Sequence, residues 1–510
     1  MDAPQTLTGI VDWLRKIAPA ARLASDSRTI GAGDVFVAYP GEASDGRRYI
    51  AAAIERGAAA VLYDARGFEW DDAWQVPHLA VGELKQQVGP IAGSLLGMPD
   101  AEMFSIAVTG TNGKTSCSQW LGSALSRLGM PTAVIGTLGI GLYRGGSHGG
   151  LHATGLTTPD AAQLQYELAR LRDSGAKALA IEASSIGLHQ GRLNGMHFDV
   201  AVFTNFTRDH LDYHGDMASY EAAKRMLFDW PQLKHGVINL DDEAGRRLAE
   251  HLRRNAPGVQ VLGYSLNGCN LPGVATLRAA DVRAHHGGTA FRLESLFGNT
   301  QVRTQLVGQF NVSNVLAILG VLIAKGVRFK DAIGAVEALT PVPGRMQQVG
   351  GIDAPLVVVD YAHTPDALEQ ALKALRQVAG QRGGQLWCLF GCGGDRDPGK
   401  RAQMGAVSQL ADHIVVTSDN PRSEEPGAII AQIVAGIAPQ RAAAGNLHII
   451  EDRAGAILWA VRHAGRQDVV LLAGKGHEAY QEIKGRKMPF LDADHAALAL
   501  ASRATMKGSN

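Results

Sequence analysis

A glycine-rich segment between an apolar run and a helical pattern is the feature that most constrains this chain. Residues 104–108 are apolar and predict a buried strand, and the apolar spacing of residues 117–128 predicts a helix. Between them stands Gly110-Thr111-Asn112-Gly113-Lys114-Thr115. The unpaired N–H groups and the dipole at a helix start attract anions, and glycines let the backbone approach phosphate oxygens. The segment therefore predicts a phosphate-binding loop.

Each position of this loop has an expected task. The backbone from Gly110 to Ser116 would surround phosphates, Lys114 would meet the terminal phosphates and Thr115 would hold Mg²⁺. The alternative is a plain glycine turn followed by a surface lysine. Val108 stands where the common phosphate loop has its first glycine. That departure argues against motor ATPases and GTPases.

Length and charge balance favour a multidomain enzyme. The chain has 510 residues, too many for one core, so two to four domains are expected. Lys plus Arg and Asp plus Glu both number 49, which gives a formal net charge of zero and no basic excess for a nucleic-acid partner. Residues 1–19 lack the apolar core of a signal peptide. The longest apolar stretch, residues 315–324, is too short to span a bilayer and predicts a core helix. We therefore expect a cytoplasmic protein.

The cysteines argue against a disulfide framework and a zinc site. The chain has four of them, and none forms a Cys-x-x-Cys pair. We expect reduced, partly buried thiols at Cys117, Cys269, Cys388 and Cys392.

Strand and helix signals divide the chain into three segments. Residues 1–99 predict a small mixed α/β domain, with strands at 34–38 and 60–63 and a helix at 49–56. Residues 100–341 predict a mostly parallel sheet covered by helices, because strand and helix signals alternate. Further strands are expected at 178–181 and 200–203, and a flexible loop at 145–150.

The third segment, residues 342–510, begins after the linker Pro341-Val342-Pro343-Gly344 and predicts a second doubly wound sheet. Its apolar strands are expected at 356–359, 386–390, 414–416 and 469–472. Each strand leads into a polar loop, at 360–363, 393–396, 418–422 and 474–478. Ligands of open α/β sheets bind beyond the carboxyl ends of the strands, so these loops predict a site.

Several motifs occur together in one order. They are the phosphate loop, Ile181-Glu182-Ala183-Ser184-Ser185, Thr204-Asn205-Phe206-Thr207-Arg208-Asp209-His210-Leu211-Asp212, Gly344-Arg345-Met346 and Asp360-Tyr361-Ala362-His363. This set resembles the Mur ligases, ATP-dependent amide-forming enzymes of peptidoglycan precursor synthesis. Tyr220-Glu221-Ala222-Ala223-Lys224 and Asp419-Asn420-Pro421-Arg422 resemble the members that add meso-diaminopimelate. Ile186 departs from the pattern, because many members carry histidine there.

The resemblance implies an α/β fold of three domains. These are a UDP-binding domain at 1–99, a central ATP-binding phosphate-loop domain at 100–341 and a Rossmann-like, amino-acid-binding domain at 342–510. It also implies the reaction. ATP would phosphorylate the carboxylate of UDP-N-acetylmuramoyl-L-alanyl-D-glutamate, and the amine of meso-diaminopimelate would attack the acyl phosphate, releasing ADP and phosphate. We expect a monomer acting on small molecules.

The resemblance also implies the residues of the metal site. Thr115, Glu182, His210 and a carbamylated Lys224 would hold Mg²⁺, and Lys114, Lys224 and His210 would act in catalysis. Glu182 could instead be a helix-cap partner and His210 a core histidine, and Mg²⁺ prefers carboxylate and water over histidine. On spacing alone Lys224 would be a helical lysine beside Tyr220. A buried lysine has a lowered pKa, which would leave it neutral enough to react with CO₂.

Substrate residues are implied in the same way. ATP would meet Gly110, Thr111, Asn112, Gly113, Lys114, Thr115, Ser116, Asn311, Arg345, Asp360 and His363. The UDP-muramoyl-dipeptide would meet Ser25, Ser27, Glu42, Ala43, Ser44, Thr157, Thr158, Ser184, Gln190 and Arg192. Diaminopimelate would meet Arg396, Asp419, Asn420, Pro421, Arg422, Gly474 and Glu478. Arg422 would pair with its distal carboxylate, which lysine lacks, and Glu478 with its distal ammonium.

Three alternatives stay open at this stage. A lysine-adding homologue and a folylpolyglutamate synthetase belong to the same reaction class, although the second gives no reason for a separate UDP-binding domain. A phosphate-loop kinase or nucleotide-binding regulatory protein would bind ATP without forming an amide. It would leave the loops of the third segment unexplained.

Overall fold

The first sheet is small and fully parallel. A computed structural model describes residues 6–19, 21–42, 44–285, 288–350 and 353–507. The strands pair in chain order: β1 (Leu23–Ala24), β2 (Val35–Ala38), β3 (Ala60–Tyr63) and β4 (His78–Ala80). The helices are α1 (Leu7–Ile17), α2 (Ile50–Glu55) and α3 (Leu84–Leu95), with 3₁₀ turns at Ser27–Thr29 and Gly46–Tyr49. The strands and the helix predicted here are confirmed to within a residue at each end.

Local sequence explains how the first helix begins and what it covers. The Thr6 hydroxyl caps α1 by accepting a hydrogen bond from Gly9 N at 3.2 Å. Ile10, Val11 and Leu14 lie on one face of α1 and pack into a core shared with the sheet and α3. This packing places the small sheet against the helix Ala161–Asp173 of the central region, where Tyr166 donates a hydrogen bond to Ala21 O.

The central sheet has eleven strands in the order β15-β14-β13-β12-β11-β10-β5-β9-β6-β7-β8. The seven from β13 to β6 run parallel, and antiparallel strands flank them at both ends. The strands are β5 (Phe104–Thr109), β6 (Thr132–Gly136), β7 (Gly139–Arg144), β8 (Ser147–His148), β9 (Ala178–Glu182), β10 (Val200–Phe203), β11 (His235–Asn239), β12 (Gln260–Ser265), β13 (Ala275–His285), β14 (Gly288–Glu294) and β15 (Thr300–Thr304).

Helices cover both faces of this sheet. They are α4 (Lys114–Arg127), α5 (Ala161–Asp173), α6 (Ser185–His189), α7 (Leu211–His214), α8 (Met217–Arg225), α9 (Glu243–Asn255), α10 (Gln309–Ala324) and α11 (Phe329–Glu337). Along β5, Ile106 and Val108 face one core while Ala107 faces the other. Burial on both faces explains why β5 is apolar apart from Ser105 and Thr109.

Two predictions for the central region can be compared with these elements. The core helix predicted at 315–324 is confirmed as the second half of α10, whose residues there are almost all buried. The prediction of a plain flexible loop at 145–150 is wrong in part. Ser147 and His148 form β8, which pairs antiparallel with Tyr143 and Arg144 across a turn whose two glycines have positive φ.

The third sheet has six strands in the order β16-β17-β21-β18-β19-β20, parallel except for the edge strand β16. The strands are β16 (Gln347–Gly350), β17 (Leu356–Asp360), β18 (Leu386–Phe390), β19 (His413–Val416), β20 (Leu447–Ile449) and β21 (Val469–Ala473). The helices are α12 (Pro365–Arg382), α13 (Gly399–Ser408), α14 (Pro426–Val434), α15 (Pro439–Ala443), α16 (Arg453–His463) and α17 (Asp492–Lys507). The predicted strands of this doubly wound sheet are confirmed.

A separate hairpin follows β21. It consists of β22 (Tyr480–Ile483) and β23 (Arg486–Pro489), which pair antiparallel with each other. The hairpin lies against the loop that follows β19, because Arg422 forms a bridge with Ile483. None of the helices among the described residues is both long and apolar enough to cross a bilayer.

Candidate active site

The predicted phosphate loop connects β5 to α4. Gly110 and Gly113 have φ of +144° and +89°, which favour glycine, and a Cβ on Gly110 would clash with Thr204 Oγ1. Asn205 fixes the loop from the next strand end, because its Oδ1 accepts from Asn112 N at 2.8 Å and its Nδ2 donates to Asn112 O at 3.1 Å. Backbone shape and side-chain contacts together hold a loop of the kind that binds phosphate.

The ammonium of Lys114 lies inside this loop. It donates hydrogen bonds to Gly110 O and Thr111 O, both at 2.8 Å. Burial lowers the pKa of Lys114, while the charges of Glu182 and Asp209 oppose that shift. The lysine is therefore placed to exchange carbonyl contacts for phosphate oxygens.

Glu182 ends β9 beside the loop, and its side chain is fully buried. It accepts hydrogen bonds from the Thr115 hydroxyl at 3.0 Å, from Thr137 N at 2.9 Å and from the Thr137 hydroxyl at 3.0 Å. The hydroxyl and the carboxylate are hard oxygen donors, which suit Mg²⁺. No three His, Cys, Asp or Glu side chains of the described residues are grouped to hold a metal ion. A Mg²⁺ ion bound here would therefore also need oxygen atoms from a bound small molecule and from water to complete its coordination.

Lys224 approaches the same loop from α8. Its side chain is 2% exposed, its Nζ donates to Gly110 O at 2.7 Å, and it lies 4.4 Å from the ring centre of Tyr220. Burial and the neighbouring charge of Lys114 hold the pKa of Lys224 well below its usual range. A buried lysine with a lowered pKa therefore lies next to the phosphate loop.

Asp209 and His210 follow β10 in a loop that also meets the third sheet. His210 has φ +53°, and burial lowers its pKa to about 4, so the imidazole is neutral at pH 7. Burial opposes the ionisation of Asp209, but the interaction with His363 and the charge of Lys400 hold the pKa of Asp209 well below its usual range. His363 Nε2 lies 3.8 Å from Asp209 Oδ2. Asp209 therefore presents a carboxylate and His210 a neutral ring nitrogen.

Arg345 brings the third region onto the phosphate loop. Its Nη2 donates to Thr115 Oγ1 at 3.1 Å, and its guanidinium lies 4.4 Å from the ring centre of Tyr361. Within the described part of the chain, the buried Arg345 Nε has no hydrogen-bond partner. A second contact joins the two regions, from Asn112 Nδ2 to Asp366 Oδ2 at 3.2 Å.

The other predicted nucleotide residues stand close by but contact the protein. Asp360 Oδ2 accepts from Met346 N at 2.8 Å, and burial raises the pKa of Asp360. His363 Nδ1 donates to Tyr361 O at 2.9 Å, which leaves Nε2 toward Asp209. Asn311 Nδ2 donates to Val307 O at 2.8 Å at the start of α10.

Residues predicted for the muramoyl-dipeptide form a connected row beside Glu182. The Thr157 hydroxyl meets that of Thr137 at 3.0 Å, and the Thr158 hydroxyl meets that of Ser184 at 2.9 Å. Arg192 continues the row, with Nη1 donating to Thr158 O at 2.9 Å and Nε donating to Gln190 Oε1 at 3.0 Å. The row is joined to Glu182 through Thr137.

The first region faces this row. Burial raises the pKa of the Tyr39 phenol, and the Ser25 side chain and the charge of Arg192 oppose that shift. Glu42 Oε1 accepts from Lys85 Nζ at 2.7 Å, and the carbonyl of Ser44 accepts from Gly41 N at 3.0 Å. Ser27 is buried in the 3₁₀ turn. Ala43 lies outside the described residues.

The residues predicted for diaminopimelate meet beyond β19 and β21. Asn420 Nδ2 donates to Glu478 Oε2 at 2.7 Å, and Lys475 Nζ donates to Asn420 Oδ1 and Glu478 Oε2, both at 3.1 Å. A Cβ on Gly474 would lie 2.6 Å from Asp419 Oδ2. Burial raises the pKa of Asp419, and the charge of Lys475 opposes that shift.

Two arginines complete this cluster. Arg422 has φ +53°, and its Nη1 donates to Gly394 O at 2.6 Å. Arg396 reaches across to the central region, where its Nη1 lies 4.0 Å from Asp212 Oδ2. Arg396 borders a cleft between the loop after β10 and the loop after β18, and the side chains of Arg422 and Arg396 both approach Gly393. The cluster of Arg422, Arg396 and Glu478 can receive a group that carries both charges.

Sequence reasoning did not identify several residues that shape the site. Thr137 and Asn205 follow strand ends, and Asp366 lies in the first turn of α12. Lys475 stands in a loop that the sequence analysis singled out, but nothing in the sequence shows that its ammonium is fully buried between two carboxylates. For Thr137, Asn205 and Lys475, the position just after a strand end was the signal in the sequence that could have indicated a place in the site.

Comparison with known proteins was made on the whole chain. Family models match residues 21–93 as the Mur ligase family catalytic domain, 108–322 as the Mur ligase middle domain, and 344–476 as the Mur ligase glutamate ligase domain. Together the three models match well over half of the chain.

Individual relatives are similar over almost their full length. A protein of Janthinobacterium sp. (strain Marseille) is 67% identical over 505 residues, 99% of this chain and 98% of its own. One of Ralstonia nicotianae is 52% identical over 507 residues, 98% of this chain and 96% of its own. Both carry the name UDP-N-acetylmuramoyl-L-alanyl-D-glutamate–2,6-diaminopimelate ligase. A solved structure with the same name is 36% identical with a TM-score of 0.67, covering 96% of this chain and 99% of its own.

Proposed function

The chain belongs to the Mur ligase family, and on that premise we propose that it is the ATP-dependent ligase that adds meso-diaminopimelate to UDP-N-acetylmuramoyl-L-alanyl-D-glutamate. The reaction forms an amide bond in a peptidoglycan precursor and releases ADP and phosphate. Its substrates are small molecules of the cytoplasm. The names of the relatives support this assignment, because 67% identity extends over nearly the whole chain.

One observation carries the proposal: the ends of two sheets meet at the phosphate loop. Thr115 of the loop accepts a hydrogen bond from Arg345, which begins the third region. Arg345 also lies over the ring of Tyr361, whose hydroxyl donates to Glu478 Oε1 at 3.4 Å, so the phosphate loop is linked to the amino-acid cluster through these two residues. An enzyme that activates one substrate with ATP and joins it to an amino acid needs these two sites next to each other.

We propose the domain assignment that accompanies this arrangement. Residues 1–99 bind the UDP end, residues 100–341 bind ATP, and residues 342–510 bind the amino acid. The three sheets support the division, because each lies within one of these ranges.

The chemistry requires an activated carboxylate. The γ-phosphoryl group of ATP is transferred to a carboxylate oxygen of the dipeptide, which gives an acyl phosphate and ADP. The amine of diaminopimelate attacks the acyl carbon, and the tetrahedral intermediate expels phosphate and loses a proton. Lys114 and Arg345 neutralise the oxygens of the transferred phosphoryl group, and the loop backbone orients it.

We propose that Thr115 and Glu182 hold Mg²⁺, with His210 and Lys224 contributing from the opposite side of the loop. The oxygen donors of the first two residues fit this ion. The neutral imidazole of His210 is in the form that can ligate a metal. When bound, Mg²⁺ would supply charge neutralisation to the phosphates.

We propose that Lys224 carries a carbamate formed with CO₂. Its burial and lowered pKa support this, because only the neutral amine reacts. The carbamate would place a carboxylate-like group near the loop, where its charge would complement both Lys114 and a divalent cation. The proton released on carbamylation goes to solvent.

Nucleotide contacts are proposed on both sides of the interface. The central region contributes the loop backbone and Asn311, and the third region contributes Arg345, Asp360 and His363. The unpartnered Nε of Arg345 supports a ligand at this position. The loop residues that we propose to contact ATP are Gly110, Thr111, Asn112, Gly113, Lys114, Thr115 and Ser116.

The nucleotide-linked dipeptide is proposed to extend from the first region to Glu182. Its UDP end would meet the loops that carry Ser25, Ser27, Glu42 and Ser44, and its peptide end the row from Thr157 to Arg192. The hydrogen bond from Asn194 Nδ2, two residues after Arg192, to Gln86 Oε1 of the first region at 2.6 Å supports a continuous path. Residues proposed along the row are Thr157, Thr158, Ser184, Gln190 and Arg192.

The amino-acid preference can be tested at Arg422. We expect Arg422→Ala to lower kcat/KM for diaminopimelate about thirtyfold to several-thousandfold, because a charge-assisted pair in a cleft loses one partner. The low activity with lysine should stay unchanged or rise, since a repulsive cation is removed. Phosphate release measured with each amino acid gives both constants.

Arg486→Ala is the matched control, since it removes the same charge from an exposed strand of the neighbouring hairpin. It should leave both constants near the wild-type values. Wild-type preference for lysine would favour the lysine-adding alternative. An Arg422→Ala variant that keeps its full preference for diaminopimelate would show that Arg422 does not select the substrate.

A further inference from the structure

Arg422 already has an acidic partner within the chain. Its Nε lies 3.6 Å from Glu482 Oε2, and the two side chains are 22% and 26% exposed. Its Nη1 is held by Gly394 O at 2.6 Å. The guanidinium is thus fixed between a carbonyl and a carboxylate, at the rim of the amino-acid cluster.

Backbone pairing keeps Glu482 at this place. Arg422 N donates to Glu482 O at 3.0 Å, and Lys484 N donates to Arg422 O at 2.7 Å. Glu482 N donates to Asn420 Oδ1 at 2.9 Å. The loop after β19 therefore lies beside β22 like an additional short strand, and this pairing supports the positive φ of Arg422.

The carboxylate of Glu482 makes no other ion pair among the described residues. Its neighbour on the hairpin, Lys484, pairs instead with Glu425 at 3.1 Å. Glu478 differs from Glu482, because its Oε2 is held by Asn420 and Lys475 inside the cluster. Among the ion pairs of the described residues, Glu482 therefore takes part only in the one with Arg422.

We propose that Glu482 is an internal counter-ion of Arg422 that competes with the distal carboxylate of the substrate and so limits the preference for diaminopimelate over lysine. The inference rests on the function proposed above. A substrate carboxylate on Arg422 must share the guanidinium with Glu482, and the two like charges repel at such a distance. An entering ammonium, in contrast, is attracted by Glu482. Glu482 therefore determines specificity through Arg422 without touching the reacting atoms.

Glu482→Gln tests this inference, because it removes the charge and retains the shape. We expect KM for diaminopimelate to fall about two- to fivefold, the range for removing a partly exposed ion pair. The ratio of kcat/KM for diaminopimelate to that for lysine should rise, while KM for ATP stays constant. Glu482→Asp keeps the charge and should stay closer to the wild type than Glu482→Gln.

Glu425→Gln is the matched control. It removes the same charge from a residue 72% exposed near the hairpin, where the charge pairs with Lys484 and not with Arg422. It should change neither KM nor the preference. A purely structural role of Glu482 would lower the melting temperature and leave the preference unchanged.

A rise in KM for diaminopimelate in Glu482→Gln would overturn the inference and place Glu482 on the distal ammonium instead. An unchanged KM and an unchanged preference would also overturn it. Different results would contradict the proposed function. These are a wild-type protein that does not prefer diaminopimelate, or a preference for diaminopimelate that does not depend on Arg422.

Discussion

At the scale of single residues, the site is dominated by two lysines that share one carbonyl. Gly110 O accepts from Lys114 at 2.8 Å and from Lys224 at 2.7 Å. Burial of Lys224 and the repulsion between two ammonium groups this close together both disfavour the charged form of Lys224, and so they lower its pKa. The sequence identifies Lys114 through its motif, but the burial of Lys224 depends on how α8 packs and cannot be read from spacing.

The carbamate proposed on Lys224 gives a prediction at this scale. We expect Lys224→Ala to lose most activity and to regain part of it when a short carboxylate such as acetate or formate is added, because the anion can fill the vacated position. Nuclear magnetic resonance of wild-type protein in ¹³C-labelled bicarbonate should show a carbamate signal that Lys224→Ala lacks.

The exposed Lys330 on α11 provides the control for this measurement. Lys330→Ala should retain both the activity and the carbamate signal. Full wild-type activity at low CO₂ with an unmodified Lys224 would contradict the assignment.

At the scale of elements, the strand ends were predictable and the links between them were not. Strands such as β10 and β18 are continuous apolar runs, since each is covered on both faces. Polar loops after parallel strands predicted where the site lies. The contact of Thr137 with Glu182 and the pairing of the hairpin with Arg422 depend on strand order and register. Neither order nor register is encoded in any single segment.

The loop after β21 offers a prediction at this scale. Gly474 has φ +109°, and a Cβ there would lie 2.6 Å from Asp419 Oδ2. We expect Gly474→Ala to raise KM for diaminopimelate about tenfold or more, because the loops after β19 and β21 must separate. KM for ATP, measured in the same assay, should change little.

Gly485→Ala separates this clash from backbone strain. Gly485 has φ +74° in the hairpin turn, and a Cβ there would meet no atom within 4 Å. Its substitution should lower thermal stability slightly and leave KM for diaminopimelate unchanged. Equal effects of the two variants on KM would show that strain, and not the contact with Asp419, is responsible.

At the scale of the whole molecule, few contacts join the central and third regions across the site. They include Arg345 with Thr115 at 3.1 Å, Asn112 with Asp366 at 3.2 Å, and Arg208 with Asp397 at 3.5 Å. The last of these pairs is partly exposed, and such pairs contribute little. Nucleotide binding on both sides of the interface would therefore add substantially to its stability.

We expect the molecule to become more compact when substrates bind. Small-angle scattering with ADP and the UDP-linked dipeptide should give a smaller radius of gyration than the protein alone, because each ligand is proposed to bridge two neighbouring regions. Arg345→Ala should weaken the compaction produced by the nucleotide. A radius that does not change at saturating ligand would indicate a fixed arrangement.

Three-domain architecture and reaction class were both accessible from the sequence, because the order of several motifs is more specific than any one of them. The phosphate loop alone left open a kinase or a regulatory protein. The loops at 360–363 and 418–422 became informative once their position beyond parallel strands was recognised. Residues that act by contact between regions, such as Asp366 and Arg208, became visible only in the folded chain.

The most direct test of the central claim measures phosphate release by the wild-type protein. ATP is supplied with or without UDP-N-acetylmuramoyl-L-alanyl-D-glutamate and with each of a panel of amino acids, and the peptide product is identified by mass. The account predicts release that requires both the nucleotide-linked dipeptide and meso-diaminopimelate, with one amide formed for each phosphate. Release that needs no amino acid, or product formed preferentially with lysine, would contradict it.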